Sequence, residues 1–147
     1  MPIIKALRQH KLLLDTHVWL WVAMGDERVS NRFRNALDRL SGVQDVLVSA
    51  ISTWEVGMLA ERKRIELAMD PLDWVEKMLR APGITLAPIS PRIAMQSTRL
   101  PENGHGDPAD RLLLATAREH NAVLVTCDEK LLAYGKGRYV SVHNPSR

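Results

Sequence analysis

Five carboxylates stand where an α/β sheet would assemble an active site. Asp15 closes the apolar run Leu12-Leu13-Leu14, and Glu55 sits at the start of a helix expected after the run Val46-Leu47-Val48. Asp107 and Asp110 open a helix expected near Pro108, and Asp128 follows the run from Ala122 to Thr126. In an open parallel sheet, ligands bind beyond the carboxyl ends of the strands, so acids distant in sequence can converge there. Clustered carboxylates repel one another unless they take up protons or share a cation. Hard oxygen donors suit Mg²⁺ or Mn²⁺. The chemistry this implies is metal-dependent attack on phosphate esters.

Each acid also has a structural role open to it. Asp15, Asp107 and Asp128 are suited to cap the helices that follow them. Glu55 comes three residues after Ser52, which is the spacing of a capping box. Its neighbours Met58 and Leu59 nevertheless place it beside an apolar face. Asp110 complements the dipole of its helix, yet Leu113 and Leu114 lie three and four residues on, so it should point toward the sheet. Capping does not explain why the strand-end positions carry acids together. A dinucleotide site would need a glycine-rich turn after the first strand, and here that turn reads Asp15-Thr16-His17.

Other groups carry less. His17 and His105 fall near the expected site loops, where a lone histidine most often serves as a surface or hydrogen-bonding residue. Trp19, Trp21, Trp54 and Trp74 read as core or interface. The run Arg62-Lys63-Arg64 suits a solvated helix end or a phosphate contact. Cys127 has no paired histidine motif, which argues against a thiol nucleophile.

The elements that must position these residues alternate. Strands are expected at Lys11 to Asp15, Asp45 to Ser49, Ile84 to Ala87, Ala122 to Thr126 and Tyr139 to Val142, from their apolar runs. Between them lie a helix through Val18 to Trp21, and one capped by Ser30 with Phe33, Ala36, Leu37 and Leu40 on its stripe. Further helices run from Ser52 to about Arg64, from Asp70-Pro71, from Ser90-Pro91 to near Arg99, from Asp107-Pro108 and from Asp128. On the Asp70 helix, Asp73 with Lys77 and Glu76 with Arg80 are acid-before-base pairs four apart. Residues 101–106 read as a loop. This alternation predicts one α/β domain: a central, mostly parallel sheet of about five strands, right-handed crossovers and helices on both faces.

Composition agrees. A chain of 147 residues fits one domain with a real core. Its formal charge is +3 and its pI about 9.3. Gathering acids in one pocket leaves the remaining surface more basic than that total, and such a surface attracts a polyanion. A single cysteine excludes an internal disulfide and a thiolate zinc cluster. The stretch from Leu12 to Met24 is interrupted by Asp15 and His17 and is too short to span a membrane. The first ten residues lack the apolar core of a signal peptide. A cytoplasmic setting is expected.

Four segments together resemble the PIN-domain nucleases, especially the VapC-like toxins of bacterial toxin–antitoxin pairs. They are Leu-Leu-Leu-Asp15-Thr16-His17, the stretch Ser49 to Glu55, the stretch Asp107-Pro108-Ala109-Asp110-Arg111, and Val125-Thr126-Cys127-Asp128. They come in the family's order and span about Leu12 to Val142. The resemblance implies a single PIN domain over residues 1–147, with a core at about 12–142 and residues 1–10 as an N-terminal extension. It implies that Asp15, Glu55, Asp110 and Asp128 hold Mg²⁺ or Mn²⁺, with Asp107 as a secondary acid and Thr16 and Thr126 as hydroxyl residues beside the site. It further implies an endoribonuclease toxin that forms a homodimer and is silenced by a cognate antitoxin. Two other readings compete: a catalytically weak binding module acting with its antitoxin on DNA, and a phosphohydrolase using Asp15 as a covalent nucleophile. The second often carries another Asp two residues on, where this chain has His17.

Overall fold

The computed structural model describes residues 10–40, 46–103 and 106–147. Five short strands form its sheet: β1 (Leu12–Leu14), β2 (Val46–Ser49), β3 (Ile84–Ala87), β4 (Val123–Val125) and β5 (Ser141–His143). All pairings are parallel, and the spatial order is β3-β2-β1-β4-β5. Among the described residues seven α-helices join them: α1 (Thr16–Met24), α2 (Asn31–Leu40), α3 (Ala50–Glu61), α4 (Pro71–Leu79), α5 (Pro91–Ser97), α6 (Pro108–His120) and α7 (Glu129–Gly135).

β1 and β4 are apolar at every position, and β2 at every position before Ser49, because both faces are covered. Successive strand side chains point to opposite faces. Leu12, Leu14, Val46, Val48, Val123 and Val125 therefore join one core with Val18, Trp19, Phe33 and Trp74. Leu13, Leu47 and Leu124 face the other way and meet Ile93, Leu113, Leu114 and Leu131. Asp15 prolongs the pairing of β1 with β4 by donating its N–H to Val125 O at 2.9 Å.

Chain order reverses at β1. Its sequence successor β2 lies on one side and β4 on the other. That reversal opens a crevice beyond the carboxyl ends of β1 and β4, where such sheets bind ligands.

Most expected elements are present, with local shifts. Ser30 accepts from Phe33 N at 3.0 Å, and Asp70, Ser90, Asp107 and Asp128 cap the helices that follow them. Helix α3 departs from expectation. Ser49, at the end of β2, has extended backbone and accepts from Ile51 N at 3.1 Å. The helix therefore begins at Ala50, three residues before the spacing of Ser52 and Glu55 suggests. Ser52 is wholly buried inside it, and Glu55 lies in its second turn rather than at its start. At the other end Arg62 is the C-cap and Lys63 turns into left-handed backbone with φ 57°. α5 likewise stops at Ser97, and β5 starts two residues later than expected, after left-handed Arg138. Asp45, the Leu40 side chain, His105 and residues 1–9 lie outside the described residues.

Candidate active site

The site acids come from the ends of β1 and β4, the first turn of α6 with its cap, and the second turn of α3. Asp15 is held on both oxygens. Oδ1 accepts from Thr16 N at 2.7 Å, and Oδ2 accepts from Thr126 Oγ1 at 2.7 Å. Thr126 Oγ1 in turn accepts from Asp128 N at 3.0 Å. One hydroxyl thus ties the end of β1 to the loop after β4. Thr16 makes a second tie. Its Oγ1 lies 2.7 Å from Glu55 Oε1 and 2.8 Å from Ser52 Oγ. It has one proton to give, which goes to the carboxylate as the stronger acceptor, and the Ser52 hydroxyl can then donate to Thr16.

The acids share one electrostatic field. Burial, then the charges of Asp107, Asp15, Asp128 and Glu55, push the Asp110 carboxyl up to about 7. Glu55 is raised by burial and by Asp15 and Asp107, against the hydrogen bond from Thr16. Asp15, only 9% exposed, is raised chiefly by burial, with a further push from Asp128. The bonds from Thr126 and Thr16 and the nearby His17 oppose this. The charges of the other four sequence-marked acids all reach Asp110, whose side chain is half-buried. Each structural role is also real: Asp15, Asp107 and Asp128 do cap helices. At Asp107 and Asp128 it is Oδ1 that takes the capping N–H groups.

Asp15 is buried, Glu55 and Asp110 are half-buried, and Asp107 and Asp128 are exposed. The set is all oxygen and mutually repelling, so it fits a hard divalent cation. Among the described residues no three His, Cys, Asp or Glu side chains already close on a common point as a metal cage.

Other sequence candidates sort clearly. Trp19 and Trp74 are core, with ring centroids 5.2 Å apart. Trp54 is 57% exposed, so it does not fill the core. Its helix turns Ser52 and Val56 inward and leaves Trp54 on the outer side. His17 is exposed and near enough to Asp15 and Glu55 for its charge to act on both. Burial pushes the Cys127 thiol up, opposite to an activated nucleophile. Ser52 was missed as a site residue because the capping-box spacing accounts for it locally. The better signal was Ser49, which directly follows the apolar run of β2 and so caps α3 first.

The PIN domain family profile matches residues 12–137. The chain belongs to the PIN domain family. This PIN domain is 37% identical over 131 residues to Ribonuclease VapC22 of Mycobacterium tuberculosis, covering 89% of this chain and 97% of that one. Solved structures share its fold. VapBC-1 from nontypeable Haemophilus influenzae superposes with a TM-score of 0.65 at 14% identity, covering 92% of this chain and 98% of that one. A toxin–antitoxin complex from Klebsiella pneumoniae gives 0.61 at 22% identity, with coverage of 92% and 98%. FitAB bound to an IR36 DNA fragment gives 0.60 at 21% identity, with 92% and 96%. No helix among the described residues of this PIN domain is long and apolar enough to cross a membrane.

Proposed function

We propose that this chain is an endoribonuclease, dependent on Mg²⁺ or Mn²⁺, that hydrolyses RNA phosphodiester bonds as the toxin of a toxin–antitoxin pair. What supports this reading is that Asp15 and Asp128 adjoin the ends of β1 and β4 and that burial, with the charges of Asp107, Asp15, Asp128 and Glu55, pushes the Asp110 carboxyl up to about 7. Likeness over nearly its whole length to a ribonuclease supports RNA as the substrate. In this reading Asp15, Glu55, Asp110 and Asp128 hold the ion, and Asp107 adds charge beside them. A bound divalent ion supplies hydroxide at neutral pH and neutralises phosphoryl charge.

The chain's own residues set the geometry. Thr126 fixes Asp15 Oδ2 and, through Asp128 N, the loop after β4. Thr16 fixes Glu55 on the second turn of α3. His17 stands where a phosphohydrolase with a covalent Asp nucleophile often carries a second Asp, so a role for Asp15 as metal ligand fits better. The likeness to VapBC and other toxin–antitoxin folds supports a cognate antitoxin as partner. A homodimer and a cytoplasmic setting complete the proposal, with one PIN domain forming the whole chain.

The test is cleavage of total cellular RNA by purified protein freed of any partner. Cuts that need Mg²⁺ or Mn²⁺, stop with EDTA and disappear in Asp15→Asn are expected. Cuts retained by Asp15→Asn would remove these acids from the chemistry.

A further inference from the structure

The crevice opens into a groove that the acids do not explain. Its volume is about 410 Å³, and its walls include Trp54, Met58, Arg62, Arg64 and Pro108, with Glu55 and Asp107 at the crevice end. Trp54 is 57% exposed one residue before Glu55. Such exposure of a large ring costs solvation and does nothing for the core. Arg62 and Arg64 are exposed, and neither guanidinium forms an ion pair among the described residues. The left-handed backbone at Lys63 ends α3 and sets both arginines on the groove wall. Arg64 also lines the adjoining groove with His17, Trp21 and Arg28, where Arg28 is engaged by Asp26 at 3.2 Å. Arg64 therefore lines two grooves, one of which also reaches Glu55 and Asp107.

We propose that this groove carries single-stranded RNA on one side of the scissile bond, with a base stacked on Trp54 and a backbone phosphate held by Arg64. The assignment rests on the ribonuclease reading above. An exposed aromatic face beside unpaired cations is how proteins track single strands without fixed sequence. The groove is lined by two cations, Arg62 and Arg64, as well as by Glu55 and Asp107, so a polyanion cut at the acids would find cations along its path. Arg62, which lines the same groove, adds a second phosphate contact. Trp54 thus acts by positioning the chain rather than by touching the scissile phosphate.

The test measures binding of a labelled, mixed-sequence oligoribonucleotide by fluorescence anisotropy in EDTA, beside metal-supported cleavage of the same oligomer. Trp54→Ala should weaken binding about tenfold and raise KM by a similar factor, with kcat changed less than about threefold. Trp54→Phe, which keeps an aromatic face, should recover most of that loss. Arg64→Ala should weaken binding and lower the dependence on salt by about one phosphate contact. If the unaltered protein cleaves while Trp54→Ala and Arg64→Ala bind and cut like it, the groove assignment falls and the nuclease reading survives. If both variants lose binding but even the unaltered protein cuts nothing, the groove stands and the nuclease reading falls. Loss of a purified antitoxin's binding, with RNA binding intact, would make the groove a protein-docking surface and overturn the proposal.

Discussion

Asp70 and Asp128 do the same local job and belong to different regions of the molecule. Both have extended backbone before a helix. Asp70 accepts from Leu72 N at 3.1 Å and Asp73 N at 3.4 Å, and Asp128 from Lys130 N at 2.9 Å and Leu131 N at 3.1 Å. Asp70 stands between two helices, α3 and α4. Asp128 stands beyond β4, where its charge reaches Asp15 and Asp110. Capping chemistry is identical at the two places, so it cannot mark a site. What marks one is the company the cap keeps at the ends of the strands.

Substitutions can break or sharpen this contrast. The largest effect is expected for Asp15→Asn, which keeps the shape but removes the most buried charge. RNA cleavage should fall more than about 100-fold, beyond the loss typical of residues outside the ligand set, with the circular dichroism spectrum of the folded chain retained. Next, Asp128→Ser keeps a good cap and deletes the charge. Cleavage should drop roughly 10–100-fold while stability moves by less than about 0.5 kcal/mol. Normal cutting by the Asp128→Ser variant would reduce Asp128 to a cap like Asp70.

Thr126→Val should follow. It strips Asp15 Oδ2 of its donor in a buried setting, which costs about 1–3 kcal/mol in denaturant unfolding, and it should slow cleavage about tenfold. The smallest effect belongs to Asp70→Ala. Loss of that cap should cost about 0.5–2 kcal/mol and leave the cleavage rate unchanged under conditions where the variant is folded. Equal loss of cleavage in Asp70→Ala and Asp128→Ser would dissolve the distinction between the two regions.

The same distinction predicts how metal-free stability varies with pH. Asp110 titrates at about 7 in the folded chain against an ordinary value of 3.8. Between those values the folded chain holds a proton that the unfolded chain has released, so the contribution is full below 3.8 and is lost as pH rises through about 7. Asp15 and Glu55 are raised too and act in the same direction. Asp110→Asn should therefore flatten the decline of Tm across this window in EDTA. An unchanged decline would mean that Asp110 does not carry it.

The fold was legible because its central strands are unbroken apolar runs, and a parallel sheet needs such runs buried on both faces. Asp15 and Asp128 were legible because they adjoin those runs directly. Asp110 was legible because two leucines three and four residues on fix its side of the helix. Glu55 was found with the wrong local reason. The spacing from Ser52 mimics a capping box, while Ser49 ends β2 and takes the cap first. The cluster of Thr16, Ser52 and Glu55 joins residues 36 and 39 positions apart. No local pattern encodes that contact, because it follows from packing α1 against α3. The exposure of Trp54 was not legible either, because ring size alone does not say which side of a helix it occupies.

The most direct measurement is calorimetric titration of Mn²⁺ into the metal-free, partner-free protein near pH 7 in buffers of different ionisation enthalpy. Ions gathered by repelling, partly protonated acids must displace protons. Binding that releases a proton, with that release lost in Asp110→Asn and affinity lost in Asp15→Asn, is the expected result. Absence of Mn²⁺ binding, or binding indifferent to both substitutions, would contradict a metal site at the ends of β1 and β4.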